Sequence, residues 1–212
     1  MYSKGVSEII SSVLIIVIAI GLVATAYTWG LPLIIKVQNQ KSVDDVTAAF
    51  NPNNFNSLPS QIFTVFSNGG ERTYTLGVNG LWTLKADDPL DSDSNYIEFY
   101  FVSKVSDIAW DAGWLSSQGA CPPDKGVLNN DNFYVICTRA DSVSDGYKIS
   151  YRVYYRELDS SVSNTGQKIK IIPTGGITTS AGTSMRISRG TITQSDVGGK
   201  TLTITEIKIL LS

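Results

Sequence analysis

Histidine is missing from all 212 residues, and cysteine occurs only twice. Without histidine there can be no Ser-His-Asp triad, no Cys-His pair and no His-ligated zinc, and two thiolates fall short of an all-cysteine zinc site. Charge is also scarce, at 17% of residues, where about 25% is usual for soluble domains. Basic residues number 17 against 19 acidic ones, with no long basic run. That leaves no electrostatic footprint for nucleic acid, so none is expected as a partner. No Asn-x-Ser/Thr sequon and no G-x-S-x-G occurs, which leaves N-glycosylation without an acceptor and the hydrolase elbow without its motif. Gly198-Gly199-Lys200-Thr201 lacks the earlier glycine of a phosphate loop and runs into a strand pattern, so it reads as a turn. Neither catalysis nor a cofactor is expected.

What is present explains where the charge went. Residues 9–35 are 27 positions without one charge, and 20 of them are apolar. As a helix at ~1.5 Å per residue this run is about 40 Å long, enough to cross a bilayer core of about 30 Å. Its apolar residues surround the axis, so no face is designed for water. Gly21, Gly30 and Pro32 are its weak points, and Pro32 is expected to kink or end the straight part. Three readings compete. One is a Sec signal peptide with Lys4 at its start and a cut after Ala24-Thr25-Ala26, releasing a secreted β-domain protein from Tyr27. Another is a permanent anchor for an extracellular binding module. The third is a pilin-type helix that survives processing because its leader is removed in front of it.

The run Lys4-Gly5-Val6-Ser7-Glu8-Ile9-Ile10-Ser11-Ser12, followed by an aliphatic helix, resembles archaeal type IV pilins and archaellins. The resemblance covers about 30 residues. It implies that a prepilin peptidase recognises Lys4 and Gly5 and leaves Val6 as the first mature residue. It also implies an assembly helix, represented by Glu8, Ile9, Ile16, Ile20, Val23 and Leu31, that sits in the membrane first and in a filament's helix bundle afterwards. The implied partners are copies of the same chain, the peptidase, a membrane platform protein and an assembly ATPase. The implied place is a cell-surface filament for adhesion or motility. Bacterial type IV pilins carry glutamate at the fifth mature position, whereas Glu8 would be the third. The polar cluster Ser7-Glu8-Ser11-Ser12 lies where a signal peptide's apolar region should begin, which favours the pilin reading over the Sec one. Small residues such as Ala19, Gly21, Ala24 and Ala26 let helix axes approach closely.

The chain therefore divides into a leader (1–5), a hydrophobic membrane and assembly helix (6–36), a polar linker (37–46) and a β domain (47–212). The expected fold class is α+β: a long N-terminal helix followed by an all-β, immunoglobulin-like sandwich. Strands are expected at Ile62–Ser67, Thr73–Val78, Leu81–Leu84, Tyr96–Val102, Phe133–Cys137, Lys148–Arg156, Lys168–Ile172, Met185–Ile187 and Thr201–Leu211. The last of these slips phase near Thr205-Glu206, as a bulge would require. One helix is expected at Asp107–Leu115, capped by Ser106 or Asp107. Cys121 and Cys137 are expected to form a disulfide, two buried thiols being the alternative. Asp91, Asp93 and Asn95 mimic the first calcium ligands of an EF-hand loop, but Tyr96 and Val102 stand where its glycine and glutamate belong. A solvated acidic turn is the better reading. Of Tyr147, Tyr151, Tyr154 and Tyr155, alternation places at least two in the core.

Overall fold

The computed structural model describes residues 3–212, with side chains from residue 10 onward. Residues 1–41 and 42–212 form two separate units. Helix α1 spans Ser3–Phe50 and continues through Pro32. The stretch 37–46, expected as a linker, is helical as well. It contains neither proline nor glycine, and the last turns bury Val43, Val46, Ala49 and Phe50 in the core of the second unit. Helical spacing thus extends past the polar text that reads as a break. Pro52 ends the helix by disfavouring helical backbone at Asn51, and the Asn54 amide caps the Ala48 carbonyl at 3.0 Å.

Residues expected to open the first hairpin form helix α2, Leu58–Asn68, instead. Ile62–Ser67 is too short for periodicity to decide between strand and helix. The flanks decide it. Ser57 accepts the Ser60 N–H as N-cap, Pro59 occupies the first turn, and Gly69 at φ 74° closes the end onto the Val65 carbonyl. Leu58, Ile62 and Val65 then fall on one buried face.

Eleven strands follow: β1 Glu71–Thr75, β2 Leu81–Lys85, β3 Tyr96–Ser103, β4 Gly126–Val127, β5 Tyr134–Val143, β6 Gly146–Tyr155, β7 Glu157–Asp159, β8 Thr165–Pro173, β9 Thr179–Ser180, β10 Ser184–Val197 and β11 Lys200–Leu211. They make a six-stranded sheet, β1-β10-β11-β8-β7-β4, and a five-stranded sheet, β5-β6-β3-β2-β9. One continuous core joins them, with Trp82, Phe99, Ile149 and Val153 from one sheet and Ile169, Ile171, Ile187, Ile207 and Ile209 from the other. The α+β class with a two-sheet domain is as expected. The immunoglobulin-like detail is not matched in strand order: β8 with β11 and β4 with β7 run parallel, where that fold is antiparallel.

The phase slip in β11 is present. Leu202 and Thr205 are buried three residues apart, and the ladder shifts next to Thr205, between the Ile192–Thr205 and Arg189–Ile207 pairs. The extra residue lies in β10, where Thr191 bonds the Glu206 carboxylate through both its N–H and its hydroxyl.

The helix expected at 107–115 does not form. Asp111 and Gly113 hold φ of 56° and 79°, and the segment pairs with the edge of β5 through Trp110–Ala140 and Leu115–Thr138 bridges. Backbone that is bonded to a strand edge cannot close helical turns.

Candidate functional site

The α1 segment from Ile10 to Ile35 leaves its large apolar side chains exposed: Ile16 is 57% exposed, Ile20 64% and Trp29 77%. Val23 and Leu31 are likewise exposed. Lys4, Gly5, Val6, Glu8 and Ile9 lie outside the residues whose side chains are described, so the proposed cleavage motif has no side-chain geometry. The two threonines on the segment satisfy themselves: the Thr25 hydroxyl donates to the Gly21 carbonyl at 2.8 Å, and Thr28 donates to Ala24 and Thr25. No side-chain hydroxyl of that pair needs water. Gly21 and Gly30 have open space where a Cβ would stand, although glycine costs a helix about 1 kcal/mol relative to alanine.

The length of this surface is meaningful. Twenty residues from Ile10 reach Trp29, which at ~1.5 Å each is about 30 Å, one bilayer core. Tyr27 and Trp29 then stand where aromatic rings favour the membrane interface. Among the described residues, one helix is long and apolar enough to cross a membrane.

The second unit carries the other predicted residues. Cys121 and Cys137 are joined by a disulfide with Cα atoms 6.1 Å apart, a bond typical of oxidising compartments. It fastens the 104–125 segment over the face of β3, β5 and β6 that points away from the main core. There Cys137, Tyr96, Val135 and Tyr154 form a second small core with Trp114 and Cys121. Both faces of β6 are therefore covered, so Tyr154 is buried alongside Tyr151 and Tyr155.

Asp91, Asp93 and Asn95 do not converge on a common point. Asp91 pairs with Lys85 at 3.0 Å, and that contact holds its carboxyl below its usual range. Asp93 accepts hydrogen bonds from the Tyr154 hydroxyl at 2.5 Å and from Arg152 at 3.1 Å. Asn95 is buried: its amide donates to the Tyr155 and Ile169 carbonyls, both at 2.7 Å, and accepts the Ile171 N–H at 2.9 Å. Among the described residues, no group of three or more His, Cys, Asp or Glu is placed to hold a metal. The spacing of an EF-hand loop was legible; the inward turn of Asn95 was not.

Sequence reasoning also missed Arg152 as a centre. Its guanidinium lies 4.4 Å from the Tyr96 ring and 4.3 Å from the Trp114 ring, and its Nε donates to Glu98 at 2.7 Å. This pins the disulfide-tied segment to the sheet. The signal was faint: an arginine on the outer face of the clearest alternating strand. A second charged junction joins β7, Lys125 in the segment before β4, and Lys200 at the start of β11. Burial pushes the Glu157 carboxyl up, but hydrogen bonds from Lys125 and Lys200 outweigh it and hold it at about 2.

Taken together these features define a β-sandwich domain following a long helix whose 10–35 segment carries no charge and exposes its large apolar side chains. Comparison with protein-family models, with curated proteins and with solved structures finds no match to this chain.

Proposed function

We propose that this chain is the structural subunit of an extracellular helical filament of the type IV pilin or archaellin kind. The observation that carries the reading is the 10–35 helix, which exposes apolar side chains on every side and has no charge to offer water. Such a helix needs lipid, or a bundle of like helices, around its whole circumference. Its open glycines fit a bundle, where close approach of a neighbouring backbone uses the missing side chain. The Lys4-Gly5-Val6 motif resembles the processing site of that family and supplies the expected first mature residue, Val6. In this reading the chain performs no chemistry. Prepilin peptidase, platform protein and assembly ATPase act on it, and its partners in the filament are its own copies, for adhesion or motility.

The test is the amino-terminal sequence of the mature protein together with electron microscopy of sheared cell-surface material. Val6 at the terminus and filaments containing the chain are expected. An intact Met1 without filaments assigns the helix as an anchor, and Tyr27 at the terminus assigns it as a cleaved signal; either overturns the proposal.

A further inference from the structure

Natural sheets defend their edges, because a row of unpaired N–H and C=O groups is a template for another strand. Most edges of this sandwich are defended. β4 and β9 are two residues each. β1 is five residues long and carries Glu71 and Arg72, with Glu71 paired to Arg186 at 3.2 Å. β5 is covered by the 110–118 segment, whose Leu115 and Thr138 exchange backbone hydrogen bonds of 2.8 Å and whose Gln118 side chain accepts the Ile136 N–H.

The distal half of β10 is different. β1 covers β10 only over Ser184–Ser188. Beyond the bulge, Ile192-Thr193-Gln194-Ser195-Asp196-Val197 pairs with β11 alone, and all six residues are exposed. None is lysine, arginine or proline, the residues that usually blunt such an edge. Its polarity can be read from the turn. Val197 and Lys200 close the two-residue loop Gly198-Gly199, both at positive φ, as a type I′ hairpin requires. Thr201, opposite Asp196, donates its N–H away from β10 to the Asn164 carbonyl at 2.9 Å. Antiparallel pairs alternate, so Asp196 and then Gln194 and Ile192 turn their own N–H and C=O groups outward.

We propose that residues 192–197 of β10 dock against the same strand of a second copy of this chain, the two running antiparallel about Gln194. The other long stretch left on one neighbouring strand, residues 169–173 of β8, is already bonded by the Asn95 side chain and ends in proline, so the complement of this edge is the edge itself, an isologous contact. Pairing about Gln194 brings the three outward peptide groups of each copy together and sets Thr193 opposite Ser195, a favourable hydroxyl pair. Charge is compatible. Each Asp196 faces an Ile192, and the two carboxylates stand four residues apart, about 13 Å, beyond the screening length of about 8 Å in physiological salt. Asp196 is moreover already bonded by the Thr201 hydroxyl at 2.9 Å. The contact is separate from the helix and does not depend on the filament reading.

The test uses the full chain in mild detergent. Gln194→Cys is expected to give an oxidised covalent dimer in several-fold higher yield than a control cysteine at another exposed loop, Ser163→Cys. On the unmodified chain, the amides of Ile192, Gln194 and Asp196 are expected to gain hydrogen-exchange protection as concentration rises, while those of Thr193, Ser195 and Val197 are protected throughout. Equal cross-linking at both cysteines, or exchange at 192, 194 and 196 that does not depend on concentration, overturns the proposal. Filaments seen without the cross-link remove this contact alone. The cross-link without filaments removes the filament reading and leaves this contact standing.

Discussion

At the scale of single residues the domain depends most on Asn95. It sits at φ 59°, a conformation that asparagine tolerates better than most residues. From there its side chain uses both amide hydrogens and its oxygen on the backbone of β6 and β8, one strand from each sheet. Asn95→Asp keeps the shape but removes two donors and leaves a buried carboxylate facing two carbonyls. A loss of about 3 kcal/mol or more is expected, as for a buried charge without its partner, and urea unfolding of the two chains measures it. Tyr155 is the opposite case. Its hydroxyl is buried with no hydrogen-bond partner among the described residues, and burial pushes its pKa well above the ordinary value. Removing an unsatisfied group relieves its desolvation cost, so Tyr155→Phe is expected to be neutral or stabilising by up to about 1 kcal/mol. A drop of the thermal midpoint by several degrees would show that the hydroxyl has a function. Neither side chain's part was legible from sequence. Asn95 reads as the third ligand of an acidic loop until the fold turns it inward, and a tyrosine on an alternating strand shows its face but not its unpaired tip.

At the scale of elements, legibility followed length. The 27-residue apolar run and the alternating β6 were plain in the text, because a long period leaves one interpretation. Short elements were decided by their ends: α2 by Ser57, Pro59 and Gly69, and the 107–115 segment by its bonds to β5. The charged junction of Lys125, β7 and β11 gives a pH-dependent prediction. Glu157, whose pKa is lowered to about 2 by Lys125 and Lys200, is more acidic folded than unfolded. Its contribution is therefore present above the unfolded value near 4.5 and lost as pH falls toward 2. Solvent reaches the group, so the contribution is small at high salt. Urea midpoints of the native chain and Glu157→Gln are expected to differ at pH 6 and converge near pH 2; a constant gap would assign the effect to packing. The disulfide acts at this scale too. Paired Cys121→Ser and Cys137→Ser changes are expected to cost about 3 kcal/mol by the loop-closure argument. The loss should appear first as exchange of amides around Cys121, beyond the Leu115–Thr138 and Gln118–Ile136 bonds that still hold the 104–125 segment to β5.

At the scale of the whole molecule, the uncharged helix and the β domain make separable demands on the sequence. The domain buries Val43, Val46 and Phe50 from the end of α1 in its own core, whereas Ile16 and Ile20 are exposed. A charge at either position should therefore leave the domain's folding untouched. Ile16→Asp or Ile20→Asp moves the site from slightly favourable to about 3 kcal/mol unfavourable in the membrane centre, and in a helix bundle it buries a carboxylate without a partner. The expected result is a chain with native β-sheet circular dichroism and an intact Cys121–Cys137 bond that forms no filaments. Normal filaments from either variant would show that the helix is not the assembly element. Loss of the β-sheet signal together with assembly would show instead that the two demands are coupled. A conservative Ile16→Leu change, which alters shape but not polarity, should assemble like the native chain, so that any defect at this site is traceable to charge.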